Sequence, residues 1–184
     1  MNYTPDELRE LGVAFGDDVT IHRSVAIFGG EYLRIGSHVR IDAFCVLTAS
    51  GGGVTIGNRI HLSTHAVVLG GGAAVTLEDF CCLSVHTALF TSADSFSGTV
   101  LAGPMVPTEM RIVKNAPVIV GRHVLIGAGT VILPGVTLGL GSAVGAMSLV
   151  REDVEPFALM AGNPLRRIGT RDQRILELER QLGS

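Results

Sequence analysis

The sequence predicts an all-β fold, a single-stranded parallel β-helix of about five coils with one long inserted loop and short terminal helices. Three observations predict it. An aliphatic residue recurs every six positions at Val120, Ile126, Ile132, Leu138, Val144 and Val150. Glycine follows directly at Gly121, Gly127, Gly139 and Gly145. A small or branched residue stands two positions earlier, at Val118, Val124, Thr130, Val136, Ser142 and Ser148. A six-residue period fits neither a helix nor a hairpin meander. It fits a short strand and a turn, repeated three times per coil, with successive coils stacked through parallel hydrogen bonds.

In chain order, Thr4-Pro5-Asp6-Glu7 carries an N-cap, a proline at the first helical position and a glutamate at the third. This predicts a short helix from Pro5 to Leu11 within a lead-in over 1–18. Val19 to Ile27 begins a first, imperfect coil. The six-residue signal then runs through Ile35, Ile41, Leu47, then Ile56, Leu62, Val68, then Leu77, Leu83, Leu89, with coils starting 21 residues apart. The three extra residues fall at Gly51-Gly52-Gly53 and Gly70-Gly71-Gly72. No Gly-Lys-Ser/Thr follows either run, so both read as bulged corners and not as phosphate loops. Cys45, Ala66, Thr87, Thr130 and Ser148 should form one inward column of small residues.

Between Leu89 and Val118 the period disappears, and 91–117 contains Gly98, Gly103, Pro104, Pro107 and Pro117. A loop this long inside a compact repeat is usually functional. The repeat resumes to Val154. The remaining 155–184 form a C-terminal segment in which Thr170 to Leu182 is expected to be an amphipathic helix, with Ile175, Leu178 and Leu182 on one side. The whole, 1–184, reads as a single domain with the β-helix over 19–154.

Composition narrows the function classes. With 24 Gly, two Tyr and no Trp, the chain favours tight repeated turns over an aromatic core. Its net charge of -3, with both signs interspersed, gives no footprint for nucleic acid. No apolar run reaches the roughly 18 residues of a membrane span, and Met1 to Leu11 is charged where a signal peptide would be apolar. A cytoplasmic location is expected. Three cysteines with no CxxC pair make neither a disulfide framework nor a zinc set, and no resident metal is expected.

The stretch IVGRHVLIGAGTVILPGVTLGLGSAVGAMSLV (119–150) followed by AGNPLRRI (161–168) resembles the hexapeptide-repeat acyltransferase superfamily, and the resemblance covers roughly 19–170. These segments are similar to the galactoside, maltose and nodulation-type sugar O-acetyltransferases. LFTSADSFSG and GPMVPTEMR (89–98, 103–111) are closer to a branch associated with polysaccharide and O-antigen biosynthesis. The resemblance implies a left-handed coil, against the usual right-handed crossover. It also implies a homotrimer with active sites in the clefts between prisms, and acetyl-CoA along the later coils.

Acetyl transfer to a hydroxyl needs a base, a donor for the thioester oxyanion and a groove for the CoA arm. The family's base is commonly a histidine early in the long loop, in a Thr-x-Thr-His-Pro setting. Here the segment is Thr91-Ser92-Ala93-Asp94-Ser95, so Asp94 stands where that histidine is expected. Asp94 would then orient a histidine from elsewhere. His61 is the first candidate base, His86 the second, and His123 a base or a corner residue; His22 and His38 read as surface positions. For the cofactor, Gly127, Ala128, Gly145 and Ala146 resemble the positions where small residues admit the pantetheine arm. Arg151, Arg166 and Arg167 are available to its phosphates, and Asn163-Pro164 resembles the turn that returns the chain toward the cofactor.

The reading is therefore an acetyl-CoA-dependent sugar O-acetyltransferase acting on a sugar or nucleotide-sugar acceptor by direct attack. An N-acetyltransferase acting on a nucleotide-linked amino sugar is the alternative, because an amine needs less base assistance. A zinc carbonic anhydrase-like β-helix, with His61, His65 and His86 meeting at an interface, is a further one.

Overall fold

The computed structural model describes residues 1–182, so the last two residues of the 155–184 segment lie outside the described part. Three parallel sheets form the sides of a prism. The first stacks Ala14–Phe15, Leu33–Ile35, Val54–Ile56, Val75–Leu77, Val118–Val120 and Thr137–Leu138. The second stacks Val19–Ile21, Val39–Ile41, His61–Leu62, Cys82–Leu83, Leu125–Ile126 and Ala143–Val144, then Ala158–Ala161 and the antiparallel Arg166–Thr170. The third stacks Ala26–Phe28, Val46–Ala49, Val67–Gly70, Ala88–Phe90, Val131–Ile132 and Leu149–Val150. The prism has six coils where about five were expected, and the imperfect first coil starts at Ala14 and not at Val19.

Why these residues stack is visible in the registers. Val75 lies between Val54 and Val118, and Leu77 between Ile56 and Val120, so like side chains sit on like. Leu62, Leu77, Leu83, Ile126 and Ile132 are sealed inside. Burying each such side chain contributes about 1.5–3 kcal/mol. The small column is inward as expected, and its hydroxyls are satisfied. Thr87 donates to the Ser84 carbonyl at 2.8 Å, and Thr130 and Ser148 donate to the Gly145 carbonyl at 2.9 and 2.7 Å.

The glycine runs are corners between the third and first sheets. Gly53 has φ +75°, and a Cβ on Gly72 would collide with Asn115 of the inserted loop. That loop leaves the fourth coil at the same corner. It is less irregular than its composition indicates: Ser92–Asp94 pairs antiparallel with Val113–Asn115, and Thr108–Met110 forms a 3-10 turn. Buried Thr91 anchors its base by donating to the Leu69 carbonyl and accepting from the Gly72 and Ala73 amides.

Helix α1 spans Pro5–Glu10 with the expected capping box between Thr4 and Glu7. The C-terminal expectation needs correction. Arg166–Thr170 is an edge strand, Asn163-Pro164 sits in the turn that reverses the chain between two strands, and helix α2 begins only at Ile175. Two local causes delay the helix. Ala158–Ala161 offers a free edge of the second sheet, and the Asp172 carboxylate accepts from the Arg174 amide at 2.8 Å, just before the first helical turn.

Candidate active site

The three corners of the prism are not equivalent. At the corner between the first and second sheets, the turn amides are capped by side chains of a neighbouring coil. The Asp17, Ser37, Asn58 and Arg122 amides donate to Ser37 Oγ, Asn58 Oδ1, Asp79 Oδ1 and Glu78 Oε2 at 3.0, 2.8, 2.7 and 2.9 Å. At the corner between the second and third sheets, the equivalent amides of Ala43, Thr64, Val85, Ala128 and Ala146 have no such cap and find no acceptor among the described residues. Backbone donors left open along an edge are binding capacity, because polar groups in a fold are otherwise paired.

This open corner also carries the most distinctive side chains. Its turns read Asp42-Ala43-Phe44, Ser63-Thr64-His65, Ser84-Val85-His86, Gly127-Ala128-Gly129 and Gly145-Ala146-Met147. The third residue of each is left-handed, with φ of 61°, 60°, 58°, 67° and 55°. Phe44, His65 and His86 stack as rings at centroid spacings of 5.2 and 4.7 Å. The ladder stops at Gly129, where the Met147 thioether takes the place that a side chain would occupy. Beside the break stands Ser84, half-buried, its hydroxyl without a partner among the described residues.

The expected catalytic residues separate. His86 is exposed on this corner, one coil before Gly127. His61 lies on the outer side of the second sheet beside Cys82, and its Nε2 is 2.7 Å from Asp42 Oδ2. Asp94 holds neither histidine. It sits on the inserted loop, accepting from the Gly103 amide at 3.1 Å and facing Arg111 at 3.5 Å. The partner that orients His61 is Asp42, which the sequence reading did not single out. Partial burial alone would raise the Asp42 pKa, but hydrogen bonds from His61 and Arg40 outweigh it and hold the carboxyl below its ordinary value. The stability this pairing supplies is complete above the unfolded carboxyl value near 3.9 and is lost as pH falls through the lower folded one.

His123 stands at the corner between the first and second sheets, packed against the C-terminal helix. Its ring stacks on Phe80 at 4.9 Å, and its Nε2 is 2.8 Å from Glu179 Oε2 of α2. Arg122 pairs with the same carboxylate at 3.1 Å, and Arg171 donates to the His123, Gly141 and Ser142 carbonyls. Together these fasten α2 to the prism. A Glu179→Ala protein is expected to lose about 1–3 kcal/mol of stability, read as a lower urea midpoint, with acyl transfer unchanged. His22 contacts Ser24 on the first coil of the open corner, four coils before Gly127, and His38 contacts Asp18 at the corner between the first and second sheets. Within one chain, no group of three or more His, Cys, Asp or Glu among the described residues converges to hold a metal.

Of the residues expected at the cofactor, Gly127, Ala128, Gly145 and Ala146 occupy the open corner on the last two coils. Arg151 and Arg166 line one small depression with Pro164 and Leu165 at that end of the prism. Arg167 is instead committed to Glu155 at 2.8 Å and to Thr170.

No family model matches the chain. It is 37% identical over 174 residues to the dTDP-4-amino-4,6-dideoxy-D-glucose acyltransferase of Escherichia coli, covering 94% of this chain and 90% of that one. It is similar to AntD, an N-acyltransferase from Bacillus cereus solved with dTDP and 3-hydroxybutyryl-CoA, at 37% identity and a TM-score of 0.94, covering 98% of this chain and 95% of that one. Other AntD structures carry a substituted aspartate or serine, and two of the serine variants hold dTDP-4-amino-4,6-dideoxyglucose and coenzyme A. The hexapeptide-repeat acetyltransferase VCA0836 of Vibrio cholerae is more distant, at 25% identity and a TM-score of 0.59 over 91% of this chain and 79% of that one.

Proposed function

The chain belongs to the hexapeptide-repeat acyltransferases, and from that premise we propose that it moves an acyl group from a coenzyme A thioester, acetyl-CoA being the simplest, to the amino group of a nucleotide-linked amino sugar. The observation that carries this reading is the near-full-length likeness to two enzymes named for N-acylation or for a dTDP-linked amino sugar. It favours the amine over the hydroxyl acceptor that the sugar O-acetyltransferase resemblance implies.

In the proposed reaction the donor arm lies along the open corner over Gly127, Ala128, Gly145 and Ala146. Its amides accept from the uncapped N–H groups, and Arg151 and Arg166 face its phosphates. The amine lone pair attacks the thioester carbonyl, forming the C–N bond; the oxyanion is received by the donors at the break in the ring ladder, Ser84 Oγ among them. Collapse breaks the C–S bond, the CoA thiolate leaves, and the ammonium proton passes to His86 and on to the thiolate. Ser84 and Asp94 are of the residue types replaced in AntD, so they are the first to substitute here. A homotrimer is part of the reading, since the third sheet leaves Phe28 59% exposed and the ring ladder leaves Phe44 58% exposed.

Release of CoA thiol with dTDP-4-amino-4,6-dideoxyglucose as acceptor tests the reading, together with a His61→Ala/His86→Ala double variant. General-base assistance is typically worth about 10²–10⁴-fold. An amine needs less of it, so the double variant is expected to keep turnover within about 10²-fold of the parent. No thiol release with this acceptor, or a larger collapse in the double variant, would contradict it.

A further inference from the structure

We infer that Met147 is a movable apolar cover for the acyl chain of the donor, and that it makes the protein favour chains of four carbons over acetyl. The inference rests on the proposed path of the donor along the open corner. It deepens that reading by naming the class of acyl group carried.

The third turn position of this corner is left-handed on coils two to six, a conformation that glycine adopts freely and a long side chain does not. Gly129 stands there on coil five at φ 67°. Met147 takes the same conformation on coil six at φ 55° and remains 76% exposed, so burial offsets little of the strain. Phe44, His65 and His86 share this backbone, but their rings stack on one another. Met147 instead leans back over coil five. A Cβ added to Gly129 would lie 2.5 Å from Met147 Sδ, 3.8 Å from its Cγ and 3.9 Å from its Cε. The thioether thus fills the rung that Gly129 leaves free.

That rung adjoins the proposed reacting groups. His86 and Gly129 stand on adjacent coils in the register set by Ala88 against Val131, and Met147 stands one coil further through Val131 against Leu149. Each step is about 4.8 Å. Ser84 holds the first turn position and Gly129 the third, with the uncapped amides between these two columns. A thioester carbon is planar, so its oxygen and its acyl chain point to different sides. With the oxygen on Ser84, the chain points toward the Gly129 rung. An acetyl methyl is one bond, about 1.5 Å, from the carbonyl carbon and stops short. A four-carbon chain enters the rung and displaces the thioether, which is unbranched and flexible enough to close over it. Two more methylenes then leave water.

The groove between α2 and Phe80 is also apolar, lined by Ile175, Leu178 and Leu182. It opens beside His123, at the corner whose turn amides are capped, where a donor arm finds no free N–H.

Titration calorimetry with acetyl-CoA and with butyryl-CoA, each without acceptor, tests the assignment on the full chain, Met147→Gly and Met147→Leu. The ratio of the two dissociation constants within each protein cancels any general change in CoA binding. The parent is expected to bind butyryl-CoA about tenfold more tightly, as burial of two methylenes implies. Met147→Gly, with the residue type that Gly129 already places in this turn conformation, should bring the two donors within about twofold of each other. Met147→Leu, apolar and of similar volume, should keep most of the preference. A parent without the preference, or a Met147→Gly protein that retains it, overturns the assignment. A parent that binds neither donor overturns the proposed function as well. One that shows the preference but acylates no amino sugar keeps the assignment and overturns only the acceptor reading.

Discussion

An Ala146→Trp protein is expected to lose acyl-CoA binding by on the order of 100-fold, a cost of about 3 kcal/mol, while melting within a few degrees of the parent. Ala146 is exposed at the turn of the last coil, so a large side chain there meets no interior. It would cover the uncapped amides of Ala128 and Ala146 that the proposed pantetheine arm needs. Ala43 occupies the same turn position on the second coil. Ala43→Trp should therefore bind coenzyme A normally, and equal loss in both proteins would mean that the groove does not run over the later coils.

The second large effect is on the fold itself. Gly127 is packed so closely that a Cβ would collide with the Ala146 amide of the next coil. Adding bulk to a filled position costs about 1–3 kcal/mol. Here the collision is with backbone that also accepts the Gly127 amide at the Val144 carbonyl, 2.7 Å away, and cannot rotate aside. Gly127→Val is expected at or above the top of that range, read as a large drop in urea midpoint. The glycine that resembles a cofactor-binding position is thus required first by coil stacking, and the donor site proposed above would use the open edge that stacking leaves.

This distinction explains how much was legible in the sequence. The β-helix was, because every coil repeats the same inward residues and a 21-residue spacing places Val54 on Leu33 and Val75 on Val54. The first coil was read short because Ala14 and Phe15 precede the regular signal. The strand Arg166–Thr170 was not read from the sequence, and the helix was started five residues early at Thr170, because an edge strand with no inward column has no periodicity to find. The candidate site was only partly legible. The glycines and Arg151 and Arg166 could be placed from their motif, but Asp42 and Ser84 could not. Their signal was present: both stand one residue after the inward aliphatic, where Gly127 and Gly145 stand on the later coils. A charged or hydroxyl residue in that column marks an exposed edge. Arg111 had no such signal, since the loop has no period and its meeting with Asp94 depends on a hairpin that composition does not reveal.

The exchange of a hydroxyl for an amine acceptor is the central functional claim, and the product's bond tests it most directly. The protein would be supplied with acetyl-CoA and dTDP-4-amino-4,6-dideoxyglucose, and the acylated sugar nucleotide treated with mild alkali before mass spectrometry. The expected product keeps its acyl group, as an amide does. An acyl group lost to alkali, as from an ester on a ring hydroxyl, would contradict the account.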